Sequence, residues 1–148
     1  MEELIRELDK HLDYERYELH GNEMNIYVRS TRKVASCSYC GTPSDQVHSR
    51  QIRTLKDLPI QGKKVKLLLK QKKYFCKNKG CSRKTFAERF EFFAPNATKT
   101  NRLQAEILRV ALTQSSVAAS RYLRTSVADV GKSTICDLLK KGLEKQCG

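Results

Sequence analysis

The chain has 148 residues and a net charge of +13, from 29 lysines and arginines against 16 acidic residues. That length allows one or two small domains, and no stretch approaches the roughly 20 apolar residues of a membrane helix. The charged first residues also lack the apolar core of a signal peptide. We therefore expect a cytoplasmic protein without a membrane partner, whose six cysteines stay reduced.

The first 36 residues are predicted to form a helix and a β-hairpin. Residues 2–12 carry apolar side chains at helical spacing, namely Leu4, Ile5, Leu8 and Leu12. Strands are predicted over residues 14–20 and 24–29, on either side of a Gly-Asn pair that is typical of two-residue hairpin turns. We expect residues 1–36 to pack as a scaffold on the domain that follows.

Four of the cysteines form two close pairs, Cys37-Ser-Tyr-Cys40 and Cys76-Lys-Asn-Lys-Gly-Cys81. A short loop can direct two sulfurs at one point, and two such loops supply the four thiolates of a tetrahedral zinc site. Basic neighbours favour the thiolate form that binds metal. The pattern predicts one structural zinc ion, although the 35 residues between the pairs exceed the commonest spacing. A redox pair or a disulfide is the alternative.

The segment that contains these cysteines also holds most of the positive charge. Residues 37–90 carry 14 basic and 3 acidic side chains, and this excess predicts a polyanion such as nucleic acid as the partner. Two strands are predicted within it, over residues 46–56 and 63–75, with Pro59 and Gly62 in their connection.

The strand predicted over residues 63–75 separates apolar from basic side chains. Its period of two places Val65, Leu67 and Leu69 on one face. The other face carries lysines that can reach phosphates. We assign DNA contacts in this domain to Arg50, Arg53, Lys64, Lys66, Lys70 and Lys72. An exposed strand kept soluble by lysine is the alternative. For Tyr74, on the lysine face, packing against the zinc loops is favoured over stacking on a base.

Four phenylalanines follow the second cysteine pair, namely Phe86, Phe90, Phe92 and Phe93. Such a cluster is more typical of a core or a domain seam than of a base-stacking surface. Pro95 then marks the predicted boundary of a β-rich zinc-binding domain over residues 37–94. His48 is disfavoured as a zinc ligand because four thiolates already complete the site. Asp57 is predicted to fix a turn.

Residues 95–148 become rich in alanine, leucine and serine, and three helices are predicted over 101–113, 115–123 and 133–142. Thr100 or Asn101 caps the first helix, which turns Leu103, Ile107, Val110 and Ala111 inward. Three short helices suit a helix-turn-helix unit, although a plain helical bundle or a dimerisation element would show the same pattern. The DNA contacts predicted there are Lys132, Ser133, Thr134, Asp137, Lys140 and Lys141.

Residues 37–90 contain several motifs in a fixed order, CSYCGTPSDQVHSRQIRTLKDLPIQGKKVKLLLKQKKYFCKNKGCSRKTFAERF. They are Cys-x2-Cys-Gly, His-Ser-Arg, Arg-Thr-Leu-x-Asp-Leu-Pro, and a basic strand that leads into Cys-x4-Cys and Arg-x-Thr-Phe. This segment closely resembles the amino-terminal zinc-binding domain of insertion-sequence transposases of the ISL-three group. The resemblance implies a following helix-turn-helix, which KSTICDLLKK matches, and binding to the ends of bacterial insertion sequences.

The same resemblance implies that catalysis belongs to a large later domain, in which three carboxylates hold divalent metal. Residues 37–90 offer only Asp45, Asp57 and Glu88, which do not suggest such a site. We therefore expect a DNA-binding fragment without enzymatic activity. Its expected partners are duplex DNA and either a second copy of the chain or the catalytic domain. A zinc-ribbon transcriptional regulator and an RNA-binding zinc protein are the alternatives.

The expected fold class is α+β. A short helix and a hairpin precede a small β-rich, zinc-ribbon-like domain, and an all-α helix-turn-helix-like unit of three helices follows it.

Overall fold

The centre of the protein is a five-stranded β-sheet, seen in a computed structural model that describes residues 1–113, 121–124 and 135. The helices are α1 (Glu2–Leu8) and α2 (Asn101–Thr113). The strands are β1 (Leu12–His20), β2 (Glu23–Ser30), β3 (Ala35–Ser36), β4 (Pro43–Ser44), β5 (Val47–Ile60), β6 (Lys63–Phe75) and β7 (Thr85–Ala87). No helix in this described part has the length and apolar character needed to cross a membrane.

Strand β6 is the central strand of the sheet, whose order is β1-β2-β6-β5. It pairs in parallel with β2 and in antiparallel fashion with β5 and with the short β7. The predicted hairpin is confirmed as β1 and β2, which pair antiparallel. Instead of packing on a separate domain, this hairpin adds two strands to the same hydrogen-bonded sheet.

The end of the first helix and the turn between β5 and β6 differ from the predicted boundaries. The first helix ends at Leu8 and not at residue 12, because Asp9 is extended and its carboxylate accepts a hydrogen bond from the His11 amide at 2.8 Å. The turn between β5 and β6 is the pair Gln61-Gly62, whose φ values of 51° and 73° suit a two-residue hairpin turn. Pro59 lies inside β5, where an edge strand tolerates a residue without an amide hydrogen.

The main hydrophobic core lies on one face of the sheet, as the period-two pattern of β6 predicts. Alternate side chains of β2 and β6 are buried, and α1 contributes Ile5. The core comprises Ile5, Leu12, Met24, Ile26, Val28, Leu55, Val65, Leu67, Leu69, Phe90, Phe92 and Phe93. Three of the four phenylalanines therefore pack in the core, which confirms their predicted structural role. We call the opposite face of the sheet, which carries the even-numbered lysines of β6, the open face.

Helix α2 is attached to the sheet through Asp57 of β5. Its predicted bounds, its Thr100 cap and its four inward residues are all confirmed, and the Thr100 hydroxyl accepts a hydrogen bond from the Leu103 amide at 3.3 Å. That hydroxyl also donates to the Asp57 carboxylate at 2.7 Å, and Arg102 donates to both oxygens of the same carboxylate. The prediction that Asp57 fixes a turn is therefore wrong, because this carboxylate is buried and holds the start of α2.

The later helices fall mostly outside the described residues. Residues 121–124 are helical, and Leu123 and Ile135 pack against α2. The predicted third helix, with Lys132, Ser133, Thr134, Asp137, Lys140 and Lys141, lies outside the described part apart from Ile135. The structure thus confirms a β-rich α+β fold, whereas the helix-turn-helix remains a prediction.

We predict that Asp57→Asn loosens α2 from the sheet. The amide group of Asn has one acceptor oxygen and no charge, so the Arg102 guanidinium loses one of its two hydrogen bonds and its ion pair, and the free energy of unfolding should fall by about 1–3 kcal/mol. Urea unfolding measures the loss, and hydrogen exchange should show it first in the amides of α2. Asp45→Asn, at an exposed carboxylate, is the matched control, and equal effects of the two changes would contradict this role.

Candidate metal centre and cationic face

The two cysteine pairs lie at the same end of the sheet. Cys37 and Cys40 belong to the turn between β3 and β4, whereas Cys76 and Cys81 belong to the loop between β6 and β7. The four sulfur atoms all lie within 4.8 Å of one another. The predicted convergence of two short loops is therefore observed.

The sulfur spacing fits a tetrahedral zinc ion. Zinc–sulfur bonds of about 2.3 Å place the sulfurs of a regular tetrahedron about 3.8 Å apart. The Cys40–Cys76 and Cys37–Cys81 sulfur pairs are separated by 3.6 and 4.0 Å. A disulfide, with a sulfur–sulfur bond of about 2.0 Å, does not fit these separations.

Backbone hydrogen bonds give each loop its shape. In the first loop the Gly41 amide donates to the Cys37 carbonyl at 2.8 Å, and Gly41 has a φ of 79° that favours glycine. The Tyr39 amide points at the Cys37 sulfur from 3.4 Å. In the second loop the Cys76 amide donates to the carbonyl of Lys84 at 2.8 Å. Both loops therefore hold their sulfurs in position through local backbone contacts.

The thiols of Cys40 and Cys76 have pKa values that are shifted in opposite directions. Hydrogen bonds with the side chain and backbone of Thr42 lower the pKa of Cys40 to about 6. At Cys76 a backbone hydrogen bond at Asn78 lowers the pKa, but burial and the three neighbouring sulfurs outweigh it and raise the pKa to about 12. A bound cation would favour the thiolate form of Cys76, as in a metal-thiolate site.

A small second core supports the cysteine loops. It consists of Ala35, Cys37, Tyr74 and Phe86, with Val47, Cys76 and Cys81 packed against it. The Tyr74 ring is fully buried and stacks on Phe86 with centroids 5.8 Å apart, and its hydroxyl donates to the Arg32 carbonyl at 3.2 Å. Packing against the zinc loops is therefore the confirmed role of Tyr74, and base stacking is excluded by its burial.

Comparison with known proteins agrees with this geometry. Residues 33–81 match the family described as the zinc-finger of transposase IS204/IS1001/IS1096/IS1165. This segment is therefore similar to the zinc ribbon of ISL3-type transposases. The transposase for insertion sequence element IS1001 of Bordetella parapertussis is 28% identical to the chain over 102 residues. That alignment covers 69% of this chain but 24% of the relative, about a quarter of its length. No solved structure matched the chain.

The family and the four converging sulfurs together support one structural zinc ion in the zinc ribbon. His48 lies outside the cysteine cluster. Its ring is exposed, lies 2.9 Å from the Ser49 hydroxyl through Nδ1, and contacts the edge of Phe75.

The open face next to the zinc ribbon gathers most of the basic residues predicted for the β domain. Lys64, Lys66, Lys70 and Lys72 alternate with the buried residues of β6. Arg50 joins them from β5, where it pairs with Lys72. Arg53 does not lie on the open face, because it is three residues from Arg50 and side chains alternate between the two faces along a strand. Its guanidinium donates to the Pro95 and Ala97 carbonyls at 2.7 and 2.8 Å and lies over Phe93 on the core side.

A charged groove of about 490 Å³ occupies the open face where β1, β2, β5 and β6 lie side by side. It is lined by Asp13, Glu15, Arg29, Ser30, Thr31, Arg50, Lys70 and Lys72. Arg29 and Glu15 were not predicted from the sequence as members of this surface. No pattern in the sequence indicates them, because their place in the groove depends on the parallel pairing of β2 with β6. This pairing aligns Arg29 with Lys70, which lies 41 residues further along the chain.

We predict that Cys76→Ser abolishes zinc binding and unfolds the zinc end of the sheet without unfolding the main core. The residues around Tyr74 depend on the cysteine loops, whereas the core beneath α1 contains no zinc ligand. Metal analysis should fall from one zinc per chain to near zero. Hydrogen exchange should rise in residues 35–44 and 76–87 before it rises in β2.

Cys136→Ser is the matched control, since this cysteine stands outside the two pairs. A Cys76→Ser protein that retains one zinc per chain would contradict the assigned site.

Proposed function

We propose that the chain is the DNA-binding amino-terminal portion of an insertion-sequence transposase, and that it recognises the terminal inverted repeats of its element in the bacterial cytoplasm. The observation that carries the proposal is the row of cations on the open face, fixed beside an ISL3-type zinc ribbon. The name of the Bordetella relative, a transposase for an insertion sequence, supports it.

The spacing of these cations suits a phosphate backbone. Alternate residues of a strand repeat about every 6.8 Å, which is about two phosphate steps of 3.4 Å measured along the axis of a duplex. The sheet also holds the side chains in one row, because β6 is paired along both edges. Such contacts bring affinity without sequence preference, since phosphates are alike in every sequence.

Sequence preference is assigned to the helical part. Ser133, Thr134 and Asp137 are proposed to approach base edges in the major groove, with Lys132, Lys140 and Lys141 on the DNA backbone. The Asp57 contacts support this division of roles, because they give α2 a fixed attachment to the cationic sheet.

No strand cleavage is assigned to this chain. In the part that the structure describes, the metal-ligating side chains brought together are the four cysteines and not carboxylates. A two-metal centre for strand transfer needs acidic ligands. Catalysis is proposed to belong to the remainder of a longer transposase, and a second copy of the chain is the other proposed protein partner.

The first test compares two double variants that remove the same charge from opposite faces. Arg50→Ala with Lys70→Ala removes two cations of the open face, whereas Lys63→Ala with Lys73→Ala removes two cations from odd positions of β6. Binding to terminal-repeat and scrambled duplexes is measured against salt concentration. We expect the first pair to weaken both duplexes and to reduce the salt slope by about 0.9 per lost phosphate contact.

Equal losses from both pairs would mean that net charge, and not the open face, determines binding. Competition by RNA as strong as that by duplex DNA would favour the RNA-binding alternative. Footprints on a promoter but not on the inverted repeats would favour a transcriptional regulator.

A second prediction concerns Thr134. Thr134→Ala should reduce the preference for terminal repeats over scrambled duplex, with little change in the salt slope, because a base-edge contact carries sequence information. Affinities for both duplexes at several salt concentrations measure the two effects separately. An unchanged preference would assign base reading to the zinc ribbon instead.

A further inference from the structure

The charged groove on the open face contains two carboxylates as well as four cations. Arg29, Arg50, Lys70 and Lys72 come from β2, β5 and β6, whereas Asp13 and Glu15 come from the edge strand β1. A surface that binds phosphates through these cations therefore already contains competing anions. The contacts of each carboxylate indicate which of the two acids occupies the place of a phosphate.

Glu15 has the geometry of such an occupant. Both of its carboxylate oxygens lie 3.1 Å from the Lys70 ammonium, and its side chain is only 22% exposed. The contact reaches across β2, since Lys70 lies two strands away from β1. A register shift between Tyr14 and Arg16 leaves Glu15 unpaired with β2, and a bulge of this kind redirects a side chain.

Asp13 is engaged differently. One of its oxygens lies 3.4 Å from the Arg29 guanidinium and the other lies 3.7 Å from Arg6 of α1. Arg6 lies outside the groove, so Asp13 joins the helix to the sheet as well as facing the cations. Among the residues that the structure describes, Glu15 pairs with Lys70 and with no second cation, which makes Glu15 the carboxylate that a phosphate can replace with the least loss.

We propose that Glu15 occupies a phosphate subsite in the free protein, and that a backbone phosphate of duplex DNA displaces it to reach Lys70, with Arg29, Arg50 and Lys72 around it. This inference rests on the proposed DNA-binding function. An ion pair that is partly exposed contributes little free energy. The several phosphate contacts that a duplex makes can therefore offset the loss of the Glu15–Lys70 pair. Glu15 then lowers the affinity for all duplexes alike, because every duplex must displace the same carboxylate.

The test uses the full chain with terminal-repeat and scrambled duplexes at one salt concentration. Glu15→Gln keeps the shape of the side chain and removes its charge, and we expect binding to tighten about twofold to fivefold on both duplexes. Glu18→Gln is the matched control. It removes the same charge from the same strand, but Glu18 contacts Arg16 and His20, which lie outside the groove. Its effect should be smaller.

A double-mutant cycle shows whether the effect passes through Lys70. In a Lys70→Ala background, Glu15→Gln should produce no further gain, because the cation that the carboxylate blocks is absent. Equal gains from Glu15→Gln and Glu18→Gln, or a Glu15→Gln gain that persists without Lys70, would overturn the subsite. If the unmodified chain binds no duplex, the proposed function itself fails, and the subsite fails with it.

Discussion

The alternation of side chains along β6, held in register by three partner strands, is the constraint on which the rest of the structure depends. Odd positions of the strand enter the core, and even positions carry lysines to the open face. Because β2 and β5 pair with both edges of β6, the register of the strand is fixed. A shift by one residue would move the buried side chains to the open face and disrupt the core. The strand ends at Phe75, directly before Cys76, so the same register positions the start of the second cysteine loop.

The zinc ribbon extends this sheet where the hydrophobic core ends. Burial of Tyr74 and Phe86 beneath the cysteine loops covers the even face of β6 at that end, which is why the lysine row stops at Lys72. Zinc at the four sulfurs would stabilise a segment whose own core consists of a few residues. The open face therefore lies between two fixed structures, the cysteine cluster at one end of β6 and the attachment of α2 through Asp57 near the other.

Local periodicity predicted much of this architecture. The helical spacing after Thr100 gave the bounds and the buried face of α2, and the paired cysteines gave the metal centre. Contacts between distant segments could not be predicted in the same way. Three such contacts depend on the tertiary arrangement and leave no short pattern in the sequence. They are the parallel pairing of β2 with β6, the contact of Arg102 with Asp57 and the contact of Glu15 with Lys70. Arg53 was grouped with Arg50 because both are basic, although the alternation of side chains along β5 places them on opposite faces of the sheet.

We propose above that the open face of β6 meets the phosphate backbone. The most direct test of this proposal is nuclear magnetic resonance of the lysine ammonium groups during titration with terminal-repeat duplex. We expect the signals of Lys66 and Lys70 to shift and those of Lys63 and Lys73, which lie on the other face, to stay in place. Shifts confined to Lys63 and Lys73, or to the loop between Cys76 and Cys81, would contradict it.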